Sequence, residues 1–163
     1  MISPIYVANN MIRRSNEQGV NLTNLKLQKL MYILYAKYFV LAGSALFANR
    51  FEAWQYGPVL SDIYEVFKSE GANPIREYRP DANGRILVVS ETDVFGECFN
   101  FIWLNYAHKS ASYLVDMTHG KVENPANRET AWKKAVNKNG LGAFLEDYEI
   151  KKDGEMWFAQ QQN

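Results

Sequence analysis

The chain has 163 residues, of which 47% are hydrophobic, 14% aromatic and 22% charged. This composition is globular and excludes a disordered or low-complexity chain; the length suits one domain, residues 1–163, that needs neither disulfide nor metal to hold a core. Eighteen Lys and Arg balance eighteen Asp and Glu, so no global field draws in a polyanion, and nucleic acid is not an expected partner.

The lone Cys98 excludes an intramolecular disulfide and a multi-cysteine zinc site, which fits a reducing cytoplasm. The start, "MISPIYVANNMIRRSNEQG", lacks the basic region, continuous apolar core and cleavage site of a signal peptide. The longest apolar stretch, around "LMYILYA", is interrupted by Lys29 and Lys37 and falls short of the ~20 residues needed to span a bilayer. A cytoplasmic protein without a membrane partner is the expectation.

In chain order, Ser3 as cap and Pro4 in the first turn predict a helix that sets Ile5, Ala8, Met11 and Ile12 on one face. After the polar break "SNEQG", Thr23 is placed to cap a second helix over 24–42. Leu27, Leu30, Leu34, Tyr38 and Leu41 recur there at three- and four-residue steps, and Met31, Tyr35 and Phe39 widen the stripe. A helix apolar over so much of its circumference is touched from several sides, so it is expected to be central. Gly43 stops it, and "ALFANRFEAWQYG" loses the helical period, as an extended connection does.

Pro58 is expected to open the next helix, with Val59, Ile63, Val66 and Phe67 on its apolar side and Gly71 and Pro74 at its end. "IREYRPDANGRILVVSETD" predicts a small β-hairpin, because "PDANG" gathers turn formers before a β-branched run. Helical spacing returns over Thr92–Tyr106 and Ser110–His119, and a short helix carries Trp132 and Val136. The tail "YEIKKDGEMWFAQQQN" leaves two conformations open, a hairpin at Asp153-Gly154 or a terminal helix presenting Ile150 and "MWF". The pattern is mainly α: a single compact helical domain with a small β-hairpin.

Catalytic signatures are missing. The sequence has no G-x-S-x-G elbow, H-E-x-x-H pair, Walker loop or G-x-G-x-x-G, and no cofactor or metal site is expected. Cys98 falls in an apolar helix, where a thiol stays protonated. Of the two imidazoles, His108 and His119, the second lies one helical turn from Asp116 in "DMTH", the spacing of a hydrogen-bonded pair at a helix end. Only a weak case exists for a hydrolase or transferase built from Glu52, Asp116 and His119.

"FEAWQYGPVL" carries two readings. Trp54 and Tyr56 share one face if the stretch is extended, and they either fill a corner beside the central helix, with Trp54 near Tyr32, or form an aromatic and acidic docking patch with a free strand edge.

The run from "TNLKLQKLMYILYAKYF" to "FEAWQYGPVLSDIYEVFKSEG" resembles the Panacea or SocA-like antitoxin domain, a family also described as phage-associated proteins. The matching residues are Lys26, Leu27, Gln28, Lys29, Leu30 and Tyr32, then Phe51, Glu52, Ala53, Trp54, Tyr56, Gly57, Pro58 and Val59. "SASYLVDMTHG" followed by Trp132 is similar to the family's second signature. The resemblance implies a mainly helical, non-enzymatic protein that binds and neutralises a cognate toxin encoded beside it. The alternatives are an adaptor that delivers the toxin to a protease, or a phage-derived protein-binding module. The partner-binding residues expected on this basis are Lys29, Tyr32, Glu52, Trp54, Tyr56, Pro58 and His119.

Overall fold

The structure is a computed structural model that describes residues 1–159. The last four positions of the C-terminal tail, 160–163, lie outside the described residues. Among the described residues there are seven α-helices and one two-stranded antiparallel sheet, so the fold is mainly α. No helix among them is long and apolar enough to cross a membrane.

Helix α1 spans Pro4–Gln18 and buries Ile5, Ala8, Met11 and Ile12, the predicted face; Ser3 is its N-cap residue but makes no side-chain cap bond. Helix α2, Asn24–Ala42, begins where the Thr23 hydroxyl accepts the Lys26 N–H and ends at Gly43 in the left-handed conformation. Every residue from Lys26 to Lys37 is buried. The reason is the wide apolar stripe, which α4 (Asp93–Tyr106), α5 (Ala111–His119) and α7 (Asp147–Phe158) cover from different sides. At its centre Tyr32 meets Phe51 edge-on at 5.0 Å between ring centroids, and Tyr35 lies 4.9 Å from Phe47. Cys98 is buried in α4, where desolvation pushes its thiol up to about 12.

The β-hairpin lies elsewhere than predicted. Strands β1 (Glu52–Trp54) and β2 (Gly57–Val59) pair across a two-residue turn in the register Glu52↔Val59, Ala53↔Pro58, Trp54↔Gly57. Pro58 is thus in a strand, and α3 (Ser61–Phe67) starts three positions later. Proline fits because the backbone of its partner Ala53 turns outward: the Ala53 N–H donates to Ala143 at 2.7 Å, and its carbonyl accepts from Gly142 at 2.7 Å. No ladder donor is missing at Pro58.

Residues 75–92 hold no strand. The "PDANG" turn does form, with the Asp81 carboxylate accepting the N–H groups of Asn83 and Arg85 at 2.9 Å each. The run after it has no partner strand; side chains of α1 bind its backbone instead. Asn9 donates to the carbonyls of Arg79 and Leu87, and Asn10 accepts from Val89 N–H and donates to its carbonyl. Glu91 closes this strap on Arg13 and Arg14.

The tail is helical through α7. Gly154, read above as a turn signal, is buried where α7 crosses α2, and a Cβ there would overlap the Ala36 carbonyl. Close helix approach, not turn geometry, explains the glycine. Helix α6, Ala131–Asn139, carries Trp132 against this assembly, capped by Thr130.

Candidate functional site

Polar side chains of α2 pin the hairpin. Lys29 Nζ donates to the Pro58 carbonyl at 2.7 Å, and Gln28 Oε1 accepts the Leu60 N–H at 2.9 Å while its Nε2 reaches Asn24 Oδ1 at 3.3 Å. These bonds satisfy the outer edge of β2, which otherwise has no strand beside it. Gly57 permits the approach: its φ is 108°, and a Cβ would lie 2.7 Å from Thr118 Oγ1 and 2.9 Å from Lys29 Cε. With no exposed surface, the Lys29 ammonium is pulled down to about 7 by desolvation.

One turn on, the Tyr32 hydroxyl donates to Asp153 Oδ2 at 2.6 Å and so ties α2 to α7. Asp153 Oδ1 also accepts from the Ala131 N–H at 3.1 Å and from Arg128 at 3.3 Å. Burial nevertheless pushes its carboxyl up to about 7, because desolvation outweighs those donors. Lys29, Tyr32 and Pro58 are all buried, and in this fold they brace the hairpin.

The second signature closes the other side. Trp132 Nε1 donates to the Trp54 carbonyl at 2.7 Å, and His119 stacks on the Trp132 ring at 3.7 Å and 13°. Burial first, then the nearby Lys121 and Lys29 charges, hold His119 down to about 4, so the imidazole is neutral. The predicted Asp116–His119 hydrogen bond is absent among the described residues, since stacking turns the imidazole onto the indole. No hydrogen bond joins Glu52 to either residue. Among the described residues no group of three or more His, Cys, Asp or Glu is placed to hold a metal ion.

What remains accessible is the hairpin tip. Tyr56 is 58% exposed, Trp54 is half-buried, and the Trp54 indole meets Tyr64 of α3 at 4.8 Å, not Tyr32 as predicted. The indole N–H also donates to the half-buried Glu52 at 3.2 Å. Between this tip, the start of α2 and α3 runs a groove of about 640 Å³ lined by Leu25, Trp54, Tyr56, Val59, Tyr64 and Lys68 among others. Leu25 and Tyr64 were not among the predicted site residues. The available signal was that both are apolar or aromatic residues off the buried stripe of their helices. The predicted free strand edge is filled: the backbone of 142–145 runs along β1, where Leu145 N–H donates to Phe51 and Phe144 bridges Glu52.

Residues 27–133 match the family model described as Antitoxin SocA-like, Panacea domain. The chain belongs to this family. Over 119 residues this Panacea-domain chain is also 32% identical to Antitoxin SocA of Caulobacter vibrioides (strain NA1000 / CB15N), with 69% of the chain aligned. It spans 63% of that relative's length. No solved structure matches it significantly. The matched span opens within α2 and closes just after Trp132, so it encloses the hairpin and the Gln28, Lys29 and Trp132 side chains that hold it, while Thr23, Asn24 and Leu25 of the groove lie just before it. It leaves out α1 and the Asp153 that holds Tyr32.

Proposed function

We propose that this Panacea-domain protein is an antitoxin-type interaction protein, without enzymatic chemistry of its own, that binds a toxin protein and neutralises it through the groove at the hairpin tip. The observation that carries the reading is Tyr56: a large aromatic left 58% exposed at the end of a hairpin whose other features are braced from beneath. Family membership supports the antitoxin role, and the brace supports a preformed docking surface. A preorganised hairpin presents Tyr56 and Trp54 with little ordering cost on association. Rigid aromatics of this kind dominate binding energy at protein interfaces.

The groove walls are mostly apolar, and among the described residues Lys68 is the only charged side chain lining them. With zero formal net charge, the chain has little long-range steering, so affinity rests on apolar anchors and slow dissociation. The test is co-expression with the product of the neighbouring open reading frame, read as growth rescue, together with titration calorimetry of the purified pair. Wild type should rescue and bind. Tyr56→Ala and Leu25→Asp should fold and lose rescue. Full rescue by both variants would move the docking face away from the groove, and absence of binding by wild type would overturn the antitoxin reading for this pair.

A further inference from the structure

Three pairs in the chain set Asn or Asp directly before glycine: Asn83-Gly84, Asn139-Gly140 and Asp153-Gly154. In such a pair the glycine nitrogen can close onto the side-chain carbonyl carbon before it, because glycine has no side chain to obstruct the attack. Sequence alone does not separate the two asparagines; their surroundings do. Asp153 and Gly154 are both buried, and the Ala36 carbonyl lies against Gly154, so the backbone there has no room to swing. Asn139 is exposed, but it ends α6, and the Gly140 N–H donates to the Val136 carbonyl at 2.8 Å. Just beyond it the Gly142 N–H donates to Ala53 and the Ala143 carbonyl accepts from Ala53, at 2.7 Å each, which strings Asn139 between a helix and the edge of β1. Asn83 and Gly84 are exposed in the turn over α1. Among the described residues no hydrogen bond holds the Asn83 side chain, and a Cβ at Gly84 would meet nothing within 4 Å. The Gly84 N–H donates to the Asp81 carbonyl at 3.0 Å. Asn9 grips the chain on both sides of this turn, at Arg79 and Leu87, so the tip can open while the strap stays in place.

We infer that Asn83 is a site of spontaneous covalent modification, at which its side chain cyclises onto the Gly84 nitrogen and the ring is then hydrolysed. The Gly84 nitrogen gives up its proton and attacks Cγ of Asn83. The N–Cγ bond forms, the Cγ–Nδ2 bond breaks, and ammonia leaves with the proton. Water, the one co-reactant, then opens the cyclic imide. Attack at Cγ gives aspartate with the backbone unchanged, whereas attack at the main-chain carbonyl of residue 83 gives isoaspartate, whose backbone runs on through Cβ and Cγ and is one atom longer. Both products bring a new carboxylate close to Asp81, whose own carboxylate accepts the Tyr6 hydroxyl at 2.7 Å and the N–H groups of Asn83 and Arg85 at 2.9 Å each. Isoaspartate also spoils the fit across the turn, where the Asp81 N–H donates to the Arg85 carbonyl at 2.8 Å. The turn therefore loosens at the point where Tyr6 of α1 is tied to it. No residue from Asp81 to Arg85 lines the groove at the hairpin tip, and the inference does not depend on the proposed function.

Peptide mass spectrometry on the full chain, aged in warm and mildly alkaline buffer, tests it against a parallel sample kept unfolded in urea. In urea only the local sequence matters, so Asn83 and Asn139 should both gain the mass of deamidation at comparable rates. In the folded chain Asn83 should outpace Asn139 at least about tenfold, because the turn opens at little cost while the end of α6 is held from two sides. Asp153 should form no isoaspartate while the chain is folded. Asn83→Gln should fold as wild type does and abolish the signal at that peptide. The isoaspartyl fraction, separated by ion exchange, should show faster amide exchange at Arg85. A smaller ratio of Asn83 to Asn139, or an Asn83 that stays unreacted in the folded chain, overturns the inference, and unchanged exchange at Arg85 in the isoaspartyl fraction overturns the loosening of the turn.

Discussion

Lys29 Nζ and the Pro58 carbonyl meet at 2.7 Å inside the protein, the lysine having no exposed surface. One carbonyl does not replace the hydration of an ammonium, which is why the group falls from the ordinary lysine value of 10.5 to about 7. The unfolded chain keeps its proton up to the higher value, so between about pH 7 and 10.5 it binds more protons than the folded one, and this group adds stability as pH rises. Below pH 7 both states are charged and the burial cost is constant. Lys29→Met should therefore abolish this slope. The stability difference between wild type and variant, followed by urea denaturation from pH 7 to 9, should change by about 2 kcal/mol in favour of wild type. A difference flat in pH would mean that Lys29 titrates normally.

The central helix sets the second expectation. Leu30 and Leu34 are fully buried on α2, so either Leu→Ala change should cost ~2–5 kcal/mol by thermal or chemical denaturation. Gly154→Ala adds one methyl group where α7 crosses α2 and should cost about 1–3 kcal/mol by overpacking. A neutral Gly154→Ala would show that α7 sits further from α2 than described.

His119 offers a check by proton NMR. Its ring resonances should stay constant from pH 8 down to 5 and move only near 4, because burial against Trp132 keeps the neutral form. The unfolded chain protonates this imidazole first, at its ordinary 6.5, so the stability it supports falls as pH drops from 6.5 toward 4. Trp132→Ala should open the ring to water and raise its midpoint. A wild-type midpoint above 6 would contradict the stacked geometry.

At the hairpin tip, three substitutions separate architecture from docking. Tyr56→Ala should leave the melting temperature within about 1 °C of wild type and weaken partner binding roughly thirtyfold, the size of an interface anchor. Trp54→Ala should lower both, since the indole packs on Tyr64. Glu52→Lys removes the acceptor of the Trp54 indole N–H and should weaken neutralisation with little thermal change. Neutralisation by Glu52→Lys and Tyr56→Ala equal to wild type would place the docking face elsewhere.

Much of the helical plan was legible along the chain, because a helix is local. Thr23 caps the turn that follows it, Gly43 ends α2 in the left-handed conformation, and the stripe from Leu27 to Leu41 announced a helix covered from several sides. The family, too, was written in the run from Lys26 to Val59. Strands are settled by pairing between distant positions, and local composition misplaced them. The backbone of the β-branched "ILVV" is held by two asparagines of α1 rather than by a strand, while "EAW" and "GPV" became the hairpin because α2 and residues 142–145 flank them on both sides. The same non-locality decided which motif residues are accessible. Lys29 reads as a surface charge until Pro58, twenty-nine positions away, comes to rest on its ammonium, and Leu25 and Tyr64 line one groove only because the hairpin folds between their helices. Side-chain period reports which face of an element is apolar; what covers that face depends on where the rest of the chain packs.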